Sequence, residues 1–220
     1  MRYIILLVAA AIFAATTASA GPTEDFAAGQ EAAANGHYKK AVRLWRPLAA
    51  AGHAPAQRAL AGMYGGGLGV DPDVEKAAKL FRKAAEQGDA EAAVGLGSMY
   101  ERGLGVDQDA AKARLWYRKA ADAGFARAQA VLADIYREGR DVPADAGKAL
   151  TWYRKAARNG HAGAQLQLAR FYRDGTHVPA DAQKSLEWYT RAADNGYALA
   201  RKERNTLLKS LPEDHPARAD

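Results

Sequence analysis

Five histidines are the side chains best suited to hold a metal ion or move a proton near neutral pH: His37, His53, His161, His177 and His215. His53 and His161 each follow a glycine at the same place in a recurring segment, and His37 follows Gly36 in a similar setting. Whole structural units separate the three, which is too far for them to share an ion. The chain has no H-E-x-x-H pair, no G-x-S-x-G turn, no phosphate-cradling glycine loop and no cysteine. The carboxylates Asp71 and Asp73 fall at a helix start, where acidic residues are expected in any case. No catalytic, metal or cofactor set is therefore expected. Two other groups could bind a ligand. Arginine forks at Arg127, Arg137, Arg170 and Arg173 suit carboxylates and other planar anions. The indoles of Trp116, Trp152 and Trp188 could stack on sugar rings, or they could fill gaps between helices.

What must position these residues is a register of 36 residues, marked by Gly52, Gly88, Gly124, Gly160 and Gly196. Tyr64, Tyr100, Tyr136 and Tyr172 share it, as do Asp73, Asp109, Asp145 and Asp181, and Lys76, Lys112, Lys148 and Lys184. Self-similarity at such a period marks stacked units that cannot bury their apolar faces alone. Within one period, Ala92, Leu96 and Tyr100 share a face of a first helix running from about Asp89 to Arg102. Gly103 to Val106 breaks it, and a second helix runs to about Ala123 with Ala113, Tyr117 and Ala120 inward. Asp109 falls at the second helix's start, with Lys112 three residues on; both are expected to serve the helix start. The second-helix aromatic recurs as Trp45, Phe81, Tyr117, Tyr153 and Tyr189. Repeat one departs at Gly65-Gly66-Gly67, where its first helix is expected to fray early.

The ends bound the location. Arg2, the apolar run Tyr3 to Ala15 and the small residues Ala18-Ser19-Ala20 have the order of a cleaved signal peptide, residues 1–20. The run is shorter than the roughly 20 residues that span a bilayer. Export to the periplasm or beyond the cell, without a stable membrane anchor, is the expectation. The formal charge of +6, one unit of it Arg2, is spread over helices that also carry acids, so no nucleic-acid partner is expected.

The stretch Leu96-Gly97-Ser98-Met99-Tyr100-Glu101-Arg102-Gly103-Leu104-Gly105-Val106, with Asp109 to Gly124 after it, resembles the Sel-one-like repeat (SLR), a longer-looped relative of the tetratricopeptide repeat. The resemblance implies an all-α fold, a right-handed α/α solenoid of helix-turn-helix repeats. Four repeats are framed at 52–87, 88–123, 124–159 and 160–195. A tetratricopeptide-like helix pair at 21–51 precedes them; a capping helix at 196–209 and a flexible tail at 210–220 follow. Family members that act on penicillins are rich in cysteine, and this chain has none. In such solenoids the first helices line a concave groove, and projection onto it selects Glu91, Ser98, Glu101, Arg127, Asp134, Arg137, Arg170 and Arg173. The arginines either offer the C-terminal half of the groove to an acidic peptide or are solvated or paired locally, Arg170 with Asp174 for example. The implied function is a non-enzymatic protein-interaction scaffold or regulatory adaptor, and the alternative is a cell-wall or carbohydrate ligand-binding protein.

Overall fold

The computed structural model describes residues 21–216, so the segment 1–20 read as a signal peptide lies outside the described residues. Those residues form eleven α-helices and no strand, and each helix has 13 residues. They are α1 (Pro22–Ala34), α2 (Tyr38–Ala50), α3 (Ala54–Gly66), α4 (Val74–Glu86), α5 (Ala90–Arg102), α6 (Ala110–Asp122), α7 (Ala126–Glu138), α8 (Ala146–Arg158), α9 (Ala162–Asp174), α10 (Ala182–Asp194) and α11 (Ala198–Ser210). Each helix packs chiefly on the ones before and after it in sequence, which makes the molecule an all-α solenoid. The triple glycine does not shorten α3. It runs to Gly66 and stops at Gly67, whose left-handed backbone lets its N–H reach the Met63 carbonyl.

One set of contacts closes the loop between the first and second helix in each of the four repeats. The backbone N–H groups of Asp73, Asp109, Asp145 and Asp181 donate to the carbonyls of Tyr64, Tyr100, Tyr136 and Tyr172 at 3.0, 2.9, 2.8 and 2.8 Å. Their carboxylates then cap the next helix by accepting from the N–H of Lys76, Lys112, Lys148 and Lys184. The ammonium groups of the same lysines lie over the four tyrosine rings, 4.3 to 5.7 Å from their centres. The loops also touch the preceding repeat. A Cβ on Gly105 would fall 2.2 Å from the Val74 carbonyl oxygen, so only glycine fits that contact. At the matching positions Asp141 and His177 keep the same positive φ, 63° and 65°. There Asp141 reaches back to accept from Arg114 Nε at 3.2 Å, and His177 packs edge-on against Phe171.

Between repeats, alanines such as Ala56, Ala92, Ala128 and Ala164 are buried and let the helices approach closely. Through this apolar packing runs a buried amide relay. Gln57, Gln129 and Gln165 donate from Nε2 to the carbonyls of Ala49, Ala121 and Ala157, each at 3.0 Å across the junction with the preceding repeat. Their own Oε1 atoms accept from Gln87, Asn159 and Asn195 at 2.8 to 2.9 Å, so both ends of each amide are satisfied. The second repeat drops the relay as a whole, with Ala93 at the glutamine's place and Ala123 at its partner's. Gln129→Ala should destabilise the protein by about 1–3 kcal/mol in urea denaturation, because it removes two hydrogen bonds at a buried joint, leaving the Ala121 carbonyl with the Gly124 N–H and the Asn159 amide with the Gly124 carbonyl. Asn159→Ala in the same background should add less than it costs alone. Additivity of the two would show that they do not act as a unit.

Candidate functional site

The selected groove positions lie on the first helices, and most are spent inside the protein. The hydroxyls of Tyr117, Tyr153 and Tyr189, side chains of 3, 1 and 0% exposure, come up from the second helices and need polar partners. Tyr117 donates to Glu101 Oε2 at 2.9 Å, and Glu101 also accepts from Arg140 Nη1 at 2.6 Å. Tyr153 donates to Asp134 and accepts from Arg137 Nε at 2.9 Å. Tyr189 donates to Glu203 of α11 at 2.9 Å and accepts from Arg173 Nη1 at the same distance. Burial and the adjacent carboxylates hold all three phenols far above their ordinary pKa, so they stay protonated donors.

The arginines of the C-terminal repeats are therefore compensated within the chain. Arg170 forms a two-point pair with Glu203, its Nε at 3.1 Å, and not with the expected Asp174. Arg173 binds Asp174 through two donors and also reaches Glu203. Arg137 is shared between Asp134 and Glu138. Arg127 differs: it is exposed and has no ion pair among the described residues.

The first repeat lacks this arrangement altogether. Phe81 stands where the others have tyrosine, and Gly62 and Gly65 occupy the places of Ser98 with Glu101, Asp134 with Arg137, and Arg170 with Arg173. With no hydroxyl to satisfy and no side chains above it, Phe81 is half-buried and leans on Gly95 of the next repeat. A groove of about 490 Å³ opens over it. Its floor includes Phe81, Val94, Met99 and Leu104, and Glu91, Ser98 and Arg127 are among its lining residues. Arg58 at its edge binds Asp89 at 2.9 Å and Glu91 at 2.6 Å, and Arg102 adds a further cation. Glu101, Asp134, Arg137, Arg170 and Arg173 lie outside this cavity. Phe81 and Arg102 were not among the selected residues. The signal was available, since phenylalanine replaces tyrosine in one repeat of four only where the partner positions are glycine. A larger hollow of about 850 Å³ lies at the first loop, where Lys39 and Arg46 face Asp71, Asp73 and Glu75.

The other candidates serve the fold. His53 and His161 are N-caps: their Nδ1 atoms accept from the N–H of Ala56 at 3.2 Å and Ala164 at 3.1 Å, as the carboxylate of Asp89 does for Ala92. Among the described residues no group of three or more metal-binding side chains converges. Trp116 and Trp152 are buried at 9% and 5% exposure, and Trp188 is half-buried. Lys119, Lys155 and Arg191 cover their ring faces at 4.0, 4.2 and 4.7 Å, which removes the flat surface a sugar would need.

The model of one protein family, the Sel1 repeat, matches residues 54–89, 90–125, 126–161 and 162–197. Among solved structures the chain is similar to a Sel1 repeat protein from Oxalobacter formigenes, with 32% identity, a TM-score of 0.71, and coverage of 80% of this chain and 70% of that one. It is also similar to c5321, a protective antigen present in uropathogenic Escherichia coli strains and displaying an SLR fold. The identity is 30%, the TM-score 0.72, and the match covers 87% of this chain but only 42% of the antigen. Immunity protein Pa5087 from Pseudomonas aeruginosa shares the fold, at 23% identity and a TM-score of 0.57 over 80% of this chain and 68% of that one. No curated protein sequence matches the chain.

Two measurements check these assignments. Burial pushes the His161 imidazole below its ordinary pKa, so the unfolded chain binds the proton more readily. The cap's stabilisation is complete above about pH 6.5 and is lost as the pH falls. His161→Asp keeps a capping acceptor, and its stability should fall less than the wild type's between about pH 7 and pH 5. Iodide quenching of the native tryptophans should be far weaker than for free tryptophan and unchanged by soluble cell-wall glycans. Strong quenching relieved by glycan would restore the sugar-stacking assignment.

Proposed function

The chain belongs to the Sel1 repeat family, and we propose that it is an exported, non-catalytic adaptor that holds a protein partner against the face built by its first helices. Sel1 repeat proteins are generally protein-interaction scaffolds, and the all-α solenoid offers the extended surface that such binding uses. The observation that carries the proposal is the division of that face. In the last two repeats the selected groove positions other than Arg127 are spent on internal tyrosines and ion pairs. In the first two an open groove remains, with three arginines and one glutamate among its lining side chains. Its positive balance favours a partner that presents carboxylates.

Export rests on the sequence of residues 1–20, and no described helix is long and apolar enough to cross a membrane. The adaptor then works in the periplasm or outside the cell.

The test is affinity capture from envelope extract at low and moderate salt, with the chain starting at Gly21. A protein retained at low salt, weakened about tenfold by Arg102→Ala with Arg127→Ala and released by moderate salt, is the expected result. Capture of glycan alone, or of a partner indifferent to both substitutions, would overturn the proposal. N-terminal sequencing of the protein from cell fractions should begin at Gly21 in the exported material.

A further inference from the structure

We infer that the first-repeat groove is a pocket for one bulky apolar side chain of a partner peptide, with an acidic residue beside it. This rests on the adaptor reading and specifies what that site accepts. The argument starts from three coordinated replacements. A buried tyrosine demands a hydroxyl partner, and the second, third and fourth repeats supply one from positions equivalent to Gly62, to Gly65, or from the adjoining helix. The first repeat removes the hydroxyl and both covering side chains together, leaving Phe81 half-buried instead of sealed. None of the described residues fills the space. A Cβ on Gly62 would meet no atom within 4 Å, and one on Gly65 would only touch the Ala77 Cβ at 3.8 Å.

The vacated volume is apolar below and cationic above. Phe81, Val94 and Met99 supply a floor that water solvates poorly, and about 490 Å³ is ample for an aromatic or leucine side chain with the backbone that carries it. At the rim Arg58 is taken by Asp89 and Glu91, whereas Arg102 and Arg127 have no ion pair among the described residues. These two guanidinium groups select the charge of the occupant: a carboxylate flanking the buried side chain can be bound by either fork. Neither half suffices alone, because a purely acidic segment leaves the floor wet and a purely apolar one leaves the rim unanswered.

The probes are fluorescein-labelled nonapeptides of glycine and serine bearing one central Phe, Leu or Trp between two Asp residues. One control set has central Ala and the other has Lys for Asp. Binding is read by anisotropy with the chain starting at Gly21. Central Ala should weaken binding about tenfold, Lys for Asp should abolish it, and rising salt should weaken the acidic peptides. On the protein side, Gly62→Ser, Gly65→Glu and Phe81→Tyr together rebuild in the first repeat what the second already has. This triple variant should melt no lower than the wild type and lose the peptides. Gly62→Leu fills the same space by another route and should do likewise. Equal binding before and after filling overturns the pocket, as does indifference to the central side chain or to the Asp-to-Lys exchange. A failed pocket is distinguishable from a failed adaptor. An envelope partner retained by the filled variants leaves the adaptor standing without this pocket, whereas no partner for either form removes both.

Discussion

A buried phenol hydroxyl cannot be left unpaired, and that requirement decides what the first-helix face of this solenoid can do. Tyr117, Tyr153 and Tyr189 are almost wholly enclosed and hold the second helices in place with large rings. Each hydroxyl then recruits a carboxylate, and in two cases an arginine as well, from the face that would otherwise meet a partner. The last of these carboxylates, Glu203, comes from α11. The terminal helix therefore completes the polar coverage of the fourth repeat besides covering its apolar edge, with Ala200 buried beneath it. Where the hydroxyl is missing, at Phe81, the same positions revert to glycine and the surface opens. Packing and recognition here draw on the same few positions, so Glu101, Asp134, Arg137 and Arg173 are engaged by tyrosine hydroxyls, while Glu91, Ser98, Arg102 and Arg127 line the groove.

The repeat itself was legible because its period is enforced by contacts that recur without exception. Asp capping Lys, Tyr accepting from Asp and Lys lying over Tyr all recur every 36 residues. The site was legible only in part. Glu91, Ser98 and Arg127 do line one cavity. Arg137, Arg170 and Arg173 occupy equivalent faces, yet they are engaged by tyrosine hydroxyls and carboxylates that arrive from other helices. Helical phase gives the direction in which a side chain leaves its helix, but not the neighbour that meets it. Arg170 shows the difference: its nearer acid in sequence is Asp174, while its partner, Glu203, lies 33 residues away.

Departures from the period carried more information than the matches. The absence of a glutamine at Ala93 and of its partner at Ala123 marks one amide relay removed as a unit, and the Phe81, Gly62 and Gly65 set marks one tyrosine contact removed as a unit. Both departures concern the junction of the first and second repeats. The buried core also divides in this region. One cluster runs from Ala32 to Met99 and another from Ala84 to Val178, with Phe81 and Val106 packed against both.

That junction has a mechanical meaning. Directional hydrogen bonds through the buried glutamines resist sliding of one unit on the next at three joints, whereas apolar contact tolerates it. Between α4 and α5 the relay is missing, and the polar ties are Arg58 with Asp89 and Glu91 on the groove side and Arg82 Nη2 donating to the Tyr100 hydroxyl at 2.7 Å. The α4–α5 joint, beside the open cavity, is thus tied differently from the three glutamine-bridged joints, and the α10–α11 joint, with Arg201 at the glutamine's place, lacks the relay as well. The walls of the cleft are therefore held to each other by guanidinium forks and a phenol at the surface, where the other bridged joints use amides sealed in the core.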